Sequence, residues 1–195
     1  GLAALRKGLA LGRSTGQSVI APSAACRISS HLYSVALLHD IEATYVRMLI
    51  RAFKVQPVLQ HLANWPWPIR IYALGRFTVL CNDEPLRFSE KTQRKPLGLL
   101  RALITLGGHS VNIENIMNEV WPEDTTAARR ANFDVALMRL RKLLSQPDSL
   151  QLTDGKLTLN DRLCWVDCWT VERAVAQLDG QQNTPVDAGI LDLYR

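Results

Sequence analysis

The chain has 195 residues, enough for one or two domains with a substantial core. At 47% hydrophobic and 21% charged it has globular composition, which excludes wholesale disorder, and no apolar run approaches the ~18 residues of a membrane-spanning helix. Lys and Arg outnumber Asp and Glu by 23 to 18, a net charge of +5 that leans mildly toward anionic partners.

Residues 1–53 are predicted to be helical. The first thirteen alternate Leu and Ala with Arg and Lys and lack an A-x-A cleavage site, the pattern of a helix and not of a signal peptide. Leu2, Leu5, Leu9 and Leu11 pattern that helix, and the region of Gly12 and Gly16 interrupts it. Pro22-Ser23 is expected to start a second helix that runs to about His39. Asp40 is the expected N-cap of a third, in which Ile41, Tyr45, Met48, Leu49 and Phe53 recur at helical spacing. Short antiparallel helices of this kind suggest the end of a helical array, although no clear internal repeat is present. Pro57, Pro66 and Pro68 then break the pattern, so residues 57–68 read as a stiff linker after a helical segment spanning 1–56. Its Trp65-Pro66-Trp67-Pro68 run allows an exposed recognition patch or a pair of rings that pin the linker against the neighbouring domain.

Strands are predicted next. Ile69-Arg70-Ile71-Tyr72 alternates, Phe77, Val79 and Leu80 follow Gly75, Asn82-Asp83 mark a turn, and Leu86 to Phe88 form a third short strand. A small antiparallel sheet of three or four strands is therefore expected. Thr92 is placed as the cap of a helix that tolerates Pro96 in its first turn, buries Leu97, Leu100, Leu103 and Ile104, and ends at Gly107-Gly108. Asn112 caps a short helix carrying Ile113, Ile116, Met117, Val120 and Trp121, which Pro122 stops. After the polar turn Glu123-Asp124-Thr125-Thr126, a third helix is predicted over about 127–144. Two strands flank Asp154-Gly155, a strong hairpin signal. Val166 and Trp169 lead into a last helix with Val171, Ala174, Val175 and Leu178, followed by a polar break at 179–187 and the helical pattern Ile190-Leu191-Asp192-Leu193-Tyr194-Arg195.

Charge is distributed in blocks. Residues 87–101 carry five bases (Arg87, Lys91, Arg94, Lys95, Arg101) against Glu90, and 125–145 carry five (Arg129, Arg130, Arg139, Arg141, Lys142) against Asp134. Between them 102–124 hold four acids and no base, and 146–195 hold eight acids against four bases. Positive charge confined to two segments is the footprint that a phosphate backbone selects, although a solvated helix face carries the same signature.

The order of strands, helix, short helix, polar turn, basic helix and hairpin is that of a winged helix-turn-helix with an N-terminal sheet, an α+β fold. At 100° per residue, Phe133, Leu137, Leu140 and Leu144 share one side of the third helix, and Ala128, Ala131, Asn132, Val135, Met138, Arg139 and Lys142 lie opposite. An amide, small apolar groups and cations are the residue types with which a helix reads the major groove. Asn132, Val135 and Arg139 are the expected base readers. Lys95, Arg129, Arg141 and Lys142 are expected to hold phosphates, with Arg141, between the two sides, bracing phosphate or an acid; Asp134 is the expected partner of one arginine. Lys156 at the hairpin tip reaches the backbone or minor groove, or is a plain surface turn.

Residues 69–168 resemble the OmpR-type winged-helix domain of bacterial transcription regulators, in the version found in SARP-type activators. The resemblance rests on IRIYALGRFTVL (69–80), QRKPLGLLRALI (93–104), NEVWPE (118–123), FDVALMRLRKLL (133–144) and CWVDCWTVERAV (164–175). Its flanks are similar to those of such regulators too: residues 1–56 resemble the last helices of a TPR-like arm, as in MalT-like ATPase regulators, and LDLYR (191–195) resembles the early part of the bacterial transcriptional activator domain, which would begin at 169. The resemblance implies duplex DNA as partner, RNA polymerase as a further one, and a cytoplasmic, C-terminal piece of a transcription regulator. The family's receiver domain is absent, and Gly12-Arg13-Ser14-Thr15-Gly16-Gln17-Ser18 has Gln where a Walker A loop needs Lys, so no nucleotide site is assigned.

Catalysis is not expected. His31, His39, His61 and His109 are dispersed, and no nucleophile or zinc-protease motif accompanies them. Cys26, Cys81, Cys164 and Cys168 read as reduced structural thiols, since no second pair or His cluster completes a metal site around Cys164 and Cys168. No cofactor and no membrane partner is expected. The serious rival is a winged-helix interaction scaffold that does not bind DNA, which would show exposed apolar groups on the 128–142 face.

Overall fold

The computed structural model describes residues 1–16, 27–58, 62–86 and 90–179. The expected helix start at Pro22-Ser23, Cys26, His61, residues 87–88 of the expected third strand and the 180–195 segment lie outside them. The fold is mixed α+β, and the chain divides into two compact units, 1–67 and 68–195. Among the described residues no helix is long and apolar enough to cross a membrane.

The first unit contains α1 (Leu2–Thr15), α2 (Arg27–Leu38) and α3 (Ala43–Phe53). Leu9, Tyr33, Leu37, Tyr45, Val46 and Leu49 are among its buried side chains. Asp40 does not cap α3: the helix starts after Glu42, and both residues are left-handed, with φ of 48°. A tight turn, closed by the Ile41 N–H on the Ala36 carbonyl at 2.8 Å, occupies the place where an extended cap would stand. Trp65 and Trp67 belong to this unit and are 2% and 1% exposed, which excludes an exposed Trp patch. The Trp67 indole N–H donates to the Leu62 carbonyl at 2.8 Å, so the proline-rich stretch folds back onto itself.

The second unit is built on two small sheets. β1 (Ile69–Tyr72), β2 (Thr78–Cys81), β3 (Glu84–Pro85) and β7 (Cys164–Val166) form one, in the order β3-β2-β1-β7. Asn82 and Asp83, at φ of 52° and 69°, make the two-residue turn that matches the twist of a hairpin. That turn sets Glu84 opposite Cys81, so β3 begins there and not at Leu86. The sheet is also not wholly antiparallel: β7 pairs with β1 in parallel, Ile69 opposite Cys164. A parallel neighbour needs a long crossover, and every helix between β2 and β7 supplies it.

That crossover holds α4 (Glu90–Thr105), β4 (Val111–Asn112), α5 (Ile113–Val120), α6 (Thr126–Leu144), a 3-10 turn (Pro147–Ser149) and the hairpin β5 (Leu150–Thr153) and β6 (Lys156–Leu159). α4 starts before the expected cap Thr92, which leaves Pro96 inside the helix, unable to donate to the carbonyl four residues back. Its first residues are polar and carry no apolar periodicity, so the pattern does not locate that end. Asn112 caps α5 as expected, its side-chain oxygen accepting from the Glu114 N–H at 2.9 Å. Asp154 and Gly155 form the hairpin turn at φ of 50° and 71°, and β4 joins β6 to complete the sheet β4-β6-β5. Leu99, Leu103, Ile116, Phe133, Leu137 and Leu157 lie in the single core shared by these elements.

α7 (Asp167–Asp179) closes the unit. The expected boundary at 168/169 falls inside its first turn, and Trp169 is part of the same core. Asp167 is 1% exposed and its carboxylate accepts from the N–H groups of Ala73, Leu74 and Cys168 at 2.8, 3.0 and 2.7 Å, tying the end of β1 to the start of α7. Gly108 is fixed twice over: its φ is +76°, and a Cβ there would stand 2.4 Å from Cζ2 of the buried Trp169. Gly155 has a similar φ of +71° with nothing within 4 Å of a Cβ. Gly155→Ala is therefore expected to lose about 1–2 kcal/mol and Gly108→Ala about 2–5 kcal/mol, read as the difference in urea midpoint between the two variants.

Candidate nucleic-acid interface

α6 is seated by sequence-local chemistry at both ends. The Thr125 hydroxyl accepts from the Ala128 N–H at 3.4 Å, and Ser145, left-handed at φ 53°, ends the helix. Phe133, Ala136, Leu137, Leu140 and Leu144 are buried. Ala128, Ala131, Asn132, Val135, Met138, Arg139 and Lys142 are all exposed. The two sides lie where the spacing puts them.

The cations divide into two sets. Arg129 is turned back onto the turn before α6: its Nε donates to the Asp124 carbonyl at 2.7 Å, one terminal nitrogen to the Pro122 carbonyl at 2.8 Å, and the other to Asn118 Oδ1. Arg141 donates to the Leu150 carbonyl at 3.0 Å, fastening the C-terminal half of α6 to the start of β5. Its partner within the protein is thus a backbone oxygen and not an acid. Lys95 donates to the Val120 carbonyl at 3.0 Å and lies 5.5 Å from the Trp121 ring centroid, a positive charge at the negative end of α5. Arg130 pairs with Asp134 at 3.2 Å, the partnership expected for that acid. The side chains of Arg139, Lys142 and Lys156 are exposed and make no hydrogen bond or ion pair among the described residues.

Distance separates Lys95 from Lys156. Lys156 pairs across the sheet with Asn112, the N-cap of α5, whereas Lys95 holds the far end of that helix, roughly 12 Å away. The hairpin tip is anchored to the start of α5 by the Ile113 N–H on the Gly155 carbonyl at 3.0 Å. Asn132 and Val135 sit on the exposed side of α6 with Arg139. The Asn132 amide spends one hydrogen on Asp124 Oδ2 at 2.8 Å. Its second hydrogen and its oxygen are the pair that a bidentate contact to adenine takes. Sequence reasoning missed Asn118 and Asp124, which hold Arg129 and Asn132; only the closeness of Asp124 to a basic helix hinted at it.

Other chemistry is weak here. Burial pushes the Cys81 thiol up, and it pushes Cys164 up further, with Cys81 and Asp161 adding to the effect. The Cys168 thiol is pushed up to about 11, mainly by burial and then by Glu172 and Asp167. Such groups stay protonated at neutral pH and are poor nucleophiles and ligands. Among the described residues no three His, Cys, Asp or Glu side chains gather as a metal site would need. No protein-family model matches the chain, and no curated protein matches it.

The three donors of Arg129 predict a stability role. Arg129→Met is expected to lower the urea stability of the chain by about 1–3 kcal/mol, and Arg129→Lys to recover little, because an ammonium's donors leave a single nitrogen and cannot match the spread of three guanidinium nitrogens. A midpoint unchanged in Arg129→Met would remove the clamp from the account.

Proposed function

We propose that the second unit binds duplex DNA in a sequence-dependent way, as the winged helix-turn-helix of a bacterial transcription regulator. One observation carries the reading: α6 turns its greasy side into the core and leaves an amide, two apolar side chains and two cations, unpaired among the described residues, facing outward. α6 acts as the recognition helix, α5 as the helix preceding it, and the β5–β6 hairpin as the wing. Asn132, Val135 and Arg139 contact base edges; Lys142 and, from the wing, Lys156 hold phosphates. Arg129, whose fork is turned onto Asp124, Pro122 and Asn118, contributes mainly by fixing the scaffold; Lys95 and Arg141 each give one donor to a protein carbonyl and keep further donors for phosphate. In this reading the chain is not an enzyme, needs no cofactor, works in the cytoplasm beside RNA polymerase, and carries its DNA-binding unit, of OmpR type, behind a TPR-like helical segment.

A protein-interaction scaffold is the competing reading, favoured by the exposure of Val135 and Met138 at 44% and 62%. Selection from a random duplex library followed by a salt series separates the two. A DNA reader enriches a defined sequence and loses affinity linearly with log salt; a scaffold enriches none. Within the DNA reading, Arg139→Ala is expected to cost about 1–3 kcal/mol on the selected sequence and relax preference at one position. Lys142→Ala is expected to weaken all sequences alike and reduce the salt slope by about one. Equal loss on selected and random duplex for Arg139→Ala would move Arg139 to the phosphate group.

A further inference from the structure

We infer that Val135 and Met138 read the C5 methyl groups of thymine, so that the preferred duplex is recognised through its A·T pairs. The inference rests on the DNA reading above and adds which base feature the helix takes. α6 carries apolar side chains on both sides. Its core side is satisfied by Phe133, Leu137 and Leu140, and Val135 and Met138 lie outside the core. They are three residues apart on one outward ridge, at 44% and 62% exposure, and they are bracketed by Asn132 and Arg139 rather than scattered among charges. A wholly polar contact surface needs no such pair. In the major groove only thymine among the four bases presents an apolar group, its methyl, and adenine on the opposite strand presents the donor and acceptor that an amide pairs with. The adjoining Asn132 retains one hydrogen and its oxygen after meeting Asp124, so amide and apolar pair together fit the two halves of an A·T pair. Neither Val nor Met can reward guanine or cytosine in that position.

The test replaces every thymine of the selected duplex by uracil, which deletes the methyl and keeps all hydrogen-bonding groups. The chain is expected to bind the uracil duplex about four-fold more weakly for each methyl contacted, with an unchanged salt slope, because the lost contact is apolar and not ionic. A Val135→Ala, Met138→Ala double variant is expected to bind the thymine and uracil duplexes equally, while Lys142→Ala keeps the full ratio. Both apolar residues are exposed, so the double variant is expected to unfold at the parent's urea midpoint. Equal affinity of the parent chain for thymine and uracil duplexes overturns the methyl readout and leaves DNA binding standing. A thymine preference that survives in the double variant overturns it too, since the preference then arises from duplex shape. Absence of any sequence-dependent duplex binding overturns the DNA reading and this inference with it.

Discussion

The seating of α6 is the constraint on which the second unit depends. Phe133, Leu137, Leu140 and Leu144 are each buried, and each contributes roughly 1.5–3 kcal/mol by leaving water. That burial sets which side of the helix faces the core, and Thr125 and Ser145 mark its ends. Two arginines at the flanks of the stripe add fixed points to its neighbours. Arg129 ties the N-terminal turn to the loop that precedes it, and Arg141 ties the C-terminal half to β5. A helix held by its apolar side and clamped at both ends presents its remaining face in one orientation, which is the condition for any surface that must recognise a partner by geometry.

Local chemistry was legible in the sequence wherever one residue decides the outcome. Asn112 and Asp154-Gly155 each act within a few residues of themselves, and both appear where the sequence places them. Non-local pairing was not legible. β7 has three residues, Cys164-Trp165-Val166, all buried, and a run that short has no alternation from which to read a partner or a direction. Its parallel pairing with β1 is decided by how the intervening helices pack, and the Asp167 carboxylate then locks the junction from the far end of the chain. The left-handed turn at Asp40 is set by backbone closure, the Ile41 N–H on the Ala36 carbonyl, and not by side-chain pattern.

The candidate site divides along similar lines. Periodicity separated the buried side of α6 from the exposed one, residue by residue, because a 3.6-residue repeat is a property of the helix alone. It could not separate working cations from structural ones. Arg129, Arg139 and Arg141 belong to one basic block of the sequence, yet of the three only the Arg139 side chain is without a protein acceptor among the described residues. The difference lies in angle: Arg129 and Arg141 sit at the half-buried margins of the stripe, where a long side chain reaches a carbonyl of a neighbouring element, and Arg139 sits near the centre of the outward face. Sequence charge counts therefore overstate the cationic surface of a helix by the number of arginines at its margins.

The length of the exposed face sets what a single copy can discriminate in the DNA reading. From Asn132 to Lys142 the axis of α6 advances about 15 Å, which corresponds to about four base-pair steps. A four-base-pair word recurs about once in 256 positions of random duplex, far too often to distinguish one site from a genome of competitors. The remaining discrimination has to come from contacts outside α6. The hairpin supplies one lysine at its tip, beside an aspartate, which adds grip and little base information.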